Sequence, residues 1–158
     1  AGSIAGDAAN GGLVIFGNVS GTGSVADATI YGNISIGNSP GSMTFTNVDL
    51  GNSNLFMEID GTLNGQYDTL LANSGTDLSS ASLTVAFGSG FSPTDTDSWQ
   101  LISGGVDPES FGSVTTPAGW SLSPTGSLVA VPEPAAVAFV AAGLTVLAIA
   151  GRRYSAGT

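Results

Sequence analysis

Hydrophobic and polar residues alternate one by one through most of this chain, and that period of two admits little besides half-buried β-strands. In "LFMEID", Leu55, Met57 and Ile59 fall on one face and Phe56, Glu58 and Asp60 on the other. "LTVAF" groups Leu83, Val85 and Phe87, while Trp99 pairs with Leu101 and Trp120 with Leu122. Between these runs lie "GNSPG", "DLGNSN", "DGTLNG", "GSGFSPTD", "ISGGVDP" and "SPTG". Gly, Asn and Asp tolerate positive φ and Pro pre-sets a turn, so each cluster reads as a turn. No helical period of useful length precedes Pro134. The pattern predicts an all-β domain of short strands spaced about 8–12 residues apart.

Charge narrows the function classes. Only 9% of the 158 residues are charged, 12 of them acidic and two basic, against about 25% in ordinary soluble domains. The basic pair is Arg152 and Arg153, so everything before Gly151 carries carboxylates without a counter-charge. Phosphate recognition needs a basic stripe, which argues against a nucleic-acid partner. The chain has no Cys, His or Lys. That removes disulfides, Ser-His-Asp triads, Schiff-base lysines, phosphate-loop lysines and Cys/His zinc sites. An enzyme built from it would work with carboxylates, hydroxyls and backbone amides. The chain starts at Ala1 without Met, which reads as a removed signal peptide or a trimmed sequence.

Two architectures answer to the strand pattern. One is a β-solenoid, whose coils stack and bury an apolar stripe. The other is a two-sheet sandwich. Small polar turn residues stack well from coil to coil and like charges do not, so the composition favours a solenoid ectodomain over residues 1–127.

Residues Tyr31 to Ser103 carry a resemblance. Gly37-Asn38-Ser39-Pro40-Gly41, Leu55 to Gly61, Tyr67-Asp68-Thr69-Leu70, Leu83 to Val85 and Phe91 to Leu101 occur in that order. The stretch resembles the repeat region of autotransporter passenger domains and related β-helical surface proteins. It departs from them at Thr94 to Ser98, where a usual Gly is missing, and with no translocator-barrel pattern within residues 1–158 the resemblance does not imply self-export.

The C-terminal end is of a different kind. Ala135 to Ala150 has no charge and no alternation, and Arg152 and Arg153 follow closely. A bilayer crossing needs about 17–25 apolar residues, so residues 135–151 read as a short transmembrane helix. The two arginines then mark residues 152–158 as the cytoplasmic side. Pro132 and Pro134 hold the residues before them extended, which makes residues 128–134 an accessible linker. Val131-Pro132-Glu133-Pro134, an apolar segment and an Arg-rich end are similar to the PEP-CTERM sorting signal. The resemblance implies recognition by exosortase, a membrane transpeptidase-like protease, and delivery to the envelope or extracellular polysaccharide matrix of a Gram-negative bacterium. The basic cluster is shorter than the family's.

Several constellations invite chemistry. Glu58 and Asp60 share a strand face with Asp68 close beyond, a spacing that overlaps a glycosidase carboxylate pair; a solvated strand face is the stronger reading. Asp95 and Asp97, with Thr94 and Thr96, offer oxygen ligands to Ca²⁺. "SPTDTDS" lacks the middle Gly and terminal Glu of a calcium loop, so a polar turn is favoured. Asp107 and Glu109 read as a proline turn. Trp99, Trp120, Tyr31 and Tyr67 could stack on a sugar, against core packing for the two tryptophans. Asn18-Val19-Ser20 and Asn33-Ile34-Ser35 match the glycosylation triplet. The combined expectation is a non-enzymatic structural or adhesive protein of a cell surface or biofilm matrix, with no cofactor and with self-association open to it. A carbohydrate-binding β-module is the alternative.

Overall fold

The computed structural model describes residues 2–7, 9, 11–37 and 40–132. Fourteen strands form three open sheets among them. They are β1 (Gly2–Ala5), β2 (Leu13–Phe16), β3 (Val19–Gly21), β4 (Gly23–Tyr31), β5 (Asn33–Ile36), β6 (Ser42–Asp49) and β7 (Asn54–Ile59). They continue with β8 (Thr69–Ala72), β9 (Ser82–Phe87), β10 (Ser98–Gln100), β11 (Ile102–Gly104), β12 (Ser113–Thr115), β13 (Trp120–Leu122) and β14 (Ser127–Ala130). A six-stranded parallel sheet runs β1-β4-β6-β8-β11, with β2 also pairing β4. A five-stranded parallel sheet runs β12-β9-β7-β5-β3. From β2 to β9 the chain alternates between these two sheets. Strands β10, β14 and β13 form a separate antiparallel sheet.

The mainly β content follows the alternation in the sequence, most plainly in β5 and β7. β5 and β7 bury Ile34, Ile36, Leu55, Met57 and Ile59 and turn Asn33, Ser35, Asn54 and Phe56 outward. Register then stacks like on like. Ile34 lies opposite Leu55 and Leu55 opposite Leu83, while Met43, Leu70 and Ile102 form a second column. Both columns belong to one core shared by the two parallel sheets. Each such side chain contributes about 1.5–3 kcal/mol by leaving water.

Small polar residues outside the core form a matching ladder. Asn33 donates to Asn18 at 3.3 Å and Asn54 to Asn33 at 3.2 Å. One register position further, Ser82 replaces Asn opposite Asn54, and Ser113 donates to Ser82 at 2.9 Å. A second ladder bends the other sheet. Asp27 and Asn47 both take positive φ, at 51° and 53°, and the Asn47 amide donates to Asp27 at 2.7 Å. The bend divides the outer edge of β4, so that β1 pairs with its first half and β2 with its second.

The expected solenoid through Ser127 is corrected by this structure. The sheets are open, the third one is antiparallel, and the layers follow no constant repeat. Leu13 pairs with Ala28, Ala28 with Val48, Phe45 with Ala72 and Ala72 with Gly104, separations of 15, 20, 27 and 32 residues. From β2 onward each layer carries longer connections than the last, whereas β1 pairs with β4 across 21 residues. The alternative, a two-sheet sandwich, is built from antiparallel sheets, and the parallel pairing of the two large sheets departs from it. Antiparallel order begins where a four-residue loop, Ser123 to Gly126, folds β13 back on β14. The expected membrane helix is also not part of the described fold: no helix among the described residues is long and apolar enough to cross a membrane. Residues 135–151, on which that expectation fell, lie outside the described residues.

Gly126 joins the antiparallel sheet to the rest. Its carbonyl accepts from the backbone nitrogens of Leu101 and Ile102, both at 3.0 Å. Its φ is +82°, and a Cβ there would stand 2.1 Å from the Ile102 carbonyl oxygen. Gly65 has a similar φ of +85° and open space around it. Gly65→Ala is expected to cost about 1–2 kcal/mol, the left-handed backbone penalty alone. Gly126→Ala should exceed it by at least about 1 kcal/mol, since backbone must also move. Urea unfolding of the two variants checks this, and equal losses would contradict the assigned junction.

Candidate functional site

Of the candidate carboxylates, Asp68 is the buried one, 2% exposed. It precedes β8, and both its oxygens face backbone donors. Gly41 donates to Oδ1 at 2.7 Å and Glu58 to Oδ2 at 2.8 Å. The carboxyl thereby ties the turn before β6 to β7. Burial pushes its pKa above the ordinary 3.8; the two amide bonds oppose this, and the charges of Glu58 and Asp60 add to it.

Glu58 and Asp60 do not converge with Asp68 on one reacting position. Asp68 is turned to backbone amides, whereas Glu58 and Asp60 line a shallow cleft with Ser89, Gly90 and Phe91. Asp60 packs so closely on Gly88 that a Cβ there would lie 1.6 Å from Oδ1. Phe56 is exposed on the outer side of β7. The group is a carboxylate-lined strand end. Two of its members face solvent and the third supports the backbone.

The other acidic pairs have local duties. Asp97 Oδ2 accepts from the Thr94 amide at 2.7 Å and from the Thr94 hydroxyl at 3.0 Å, closing the polar turn. Asp95, in the same turn, points to a different cleft, lined also by Trp120 and Pro132. Among the described residues no group of three or more acidic side chains is placed to hold a metal ion. Asp107 caps the 3-10 turn Pro108–Ser110 by accepting from the Glu109 amide at 2.9 Å. Asp77 likewise accepts from the Ser79 amide at 2.9 Å, and hydrogen bonds from Ser79 hold the Asp77 carboxyl below its ordinary range.

The aromatics divide into two groups. Trp99 is 1% exposed and its indole donates to the Gly61 carbonyl at 2.8 Å. Phe87, Phe91 and Trp120 pack around it at 5.6, 5.9 and 5.1 Å between ring centres. Tyr31 instead stacks on Phe16 at 5.2 Å, and Phe16 is 81% exposed. Tyr67 packs half-buried against the core. The four rings singled out in the sequence therefore do not share one sugar-stacking surface. Asn18 and Asn33, the glycosylation-triplet residues, are rungs of the polar ladder.

Of the C-terminal motif, Val131 and Pro132 are described and both are exposed. Val131 donates its amide to Gly119 at 2.8 Å, fixing the direction in which the chain leaves β14. Glu133, Pro134, Arg152 and Arg153 lie outside the described residues. Sequence reasoning missed the structural role of Asp68 and the cleft at Asp95 and Trp120. Each depends on residues far apart in the chain, and no local pattern announces such a pairing. The chain matches no protein-family model, no curated protein and no solved structure.

Asp68→Asn tests the assignment of that carboxyl. A carboxamide offers one oxygen and one NH₂ to two backbone donors, so one donor loses its acceptor. The variant should lose about 1–3 kcal/mol. Because the folded pKa of Asp68 is raised, its contribution is fully present below the unfolded value of 3.8 and is lost as pH rises through the folded value. The stability gap between the wild type and Asp68→Asn should therefore widen as pH falls from 7 toward 4. Urea unfolding across that range measures it, and a gap that narrows on acidification would reverse the assignment.

Proposed function

We propose that this chain is a non-enzymatic structural or adhesive protein of a cell surface or extracellular matrix, sorted through its C-terminal segment. The order of parts at the C-terminus carries this reading: Val131-Pro132-Glu133-Pro134, then an uncharged apolar run, then Arg152 and Arg153. The exposure of Val131 and Pro132 beyond β14 supports it, because a sorting protease must reach the motif where the chain leaves its last strand. Exosortase is the enzyme that the resemblance suggests, and a Gram-negative envelope the location.

The adhesive part draws on the first strands. Among the described residues β2 and β3 each pair on one side only. Val14 and Phe16 are exposed on β2. Edges of this kind accept further strands. Only Asp7 and Asp27 are charged in residues 1–48, which lowers repulsion there between copies of a chain with net charge −10.

Mass spectrometry of the C-terminus tests the sorting step, with the chain expressed behind an export signal in a bacterium that carries an exosortase. The expected product ends near Pro134 and is recovered from the surface or matrix. Pro132→Ala combined with Glu133→Ala should leave the chain uncut. Recovery of wild-type protein intact to Thr158, with unchanged placement when the last two dozen residues are removed, would overturn the reading.

A further inference from the structure

We propose that the cleft beside β13 and the end of β14 is a docking site for an arginine side chain of a partner polypeptide. The cleft is about 630 Å³ and is lined by Pro93, Asp95, Trp120, Val131 and Pro132 among others. Its walls come from three parts of the chain: the loop before β10, the start of β13 and the residues after β14.

Trp120 is already held in place. Phe87 meets its ring edge-on at 5.4 Å, Trp99 packs tilted against it at 5.1 Å, and Trp99 is anchored to Gly61. A ligand stacking on this indole has little side-chain freedom to freeze. Asp95 is exposed and takes part in no hydrogen bond or ion pair among the described residues, in contrast to Asp97 two positions on. No cation within the described residues can neutralise it, since Arg152 and Arg153 are the chain's two basic residues and both lie beyond them.

An indole wall beside an unpaired carboxylate, in a chain of net charge −10, is complementary to an organic cation. Arginine fits best among the basic side chains. Its planar guanidinium stacks on an aromatic face while its N–H groups reach a carboxylate. Its aliphatic stem can lie along the apolar surface of Pro93 and Pro132. An anionic polymer would be repelled by Asp95. A neutral sugar would find a single charged acceptor for several hydroxyls, where sugar and other small-ligand sites converge several polar groups. The inference does not rest on the sorting proposal, because each residue that carries it precedes Glu133.

Tryptophan fluorescence of the full chain, titrated at low ionic strength with the capped tripeptide Gly-Arg-Gly, tests the site. A saturable change with a dissociation constant on the order of millimolar is expected. The citrulline counterpart of the peptide, equal in shape and uncharged, should give no saturable change. Asp95→Asn should weaken the arginine peptide about fivefold, in keeping with a partly exposed ion pair. Glu109→Gln, an exposed carboxylate elsewhere, should leave the titration unchanged. The proposal fails if citrulline binds as well as arginine or if Asp95→Asn binds normally. It fails equally if Glu109→Gln weakens binding as much, which would indicate only general attraction to an acidic protein. Saturation by maltotriose in place of the arginine peptide would assign the cleft to neutral sugars instead.

Discussion

The in-register stacking of apolar residues between parallel strands is the interaction on which the rest of this molecule depends. Ile34, Leu55 and Leu83 repeat one position through successive layers, and Met43, Leu70 and Ile102 another. A slip of one residue would turn every one of these side chains to solvent and every outward Asn and Ser into the core. The Asn18-Asn33-Asn54 ladder and the Asp27–Asn47 contact hold the same register from outside the core. Apolar columns inside and polar columns outside therefore specify one alignment together. This is how a chain with few charges and no disulfide fixes its layers.

The end of the fold follows a different plan. Trp99 fills the core beside Phe87 and Phe91, and the antiparallel sheet is seated there through its neighbour Trp120 and the Gly126 carbonyl. The two tryptophans touch, yet they have unequal surroundings: one is buried with its N–H bonded, the other is half-buried and lines a cleft. The same packing that completes the core thus presents a rigid aromatic wall next to the segment leaving the domain. The proposed arginine contact draws on that wall, and the proposed contacts between copies on the weakly charged first layers.

Some of the acidic residues have structural duties that look like chemistry in the sequence. Asp68 resembles the third member of a carboxylate group with Glu58 and Asp60, but its two oxygens satisfy the Gly41 and Glu58 amides. Asp97, Asp107 and Asp77 close turns in the same manner, each accepting from an amide two or three residues away. An aspartate in a turn-rich chain is more often needed by backbone donors than by a substrate.

The local alternation determined strands such as β7 and β9 and their buried faces, because a period of two is a property of neighbouring residues. It did not find β11, which begins inside the "ISGGVDP" cluster read as a turn. "LFMEID" and "LTVAF" lie where the pattern puts them, and so do the turns at "VDPES" and "SPTDTDS". Composition likewise determined that no thiol, imidazole or lysine chemistry is open to the chain. Only the tertiary structure decided that the strands pair in parallel across separations growing from 15 to 32 residues, and that the last sheet is antiparallel. It alone decided that Asp68 faces inward and that Asp95 and Trp120 line one cleft. The physical reason is that pairing partners are selected by the total burial of many distant side chains, a sum that no single stretch of the chain contains.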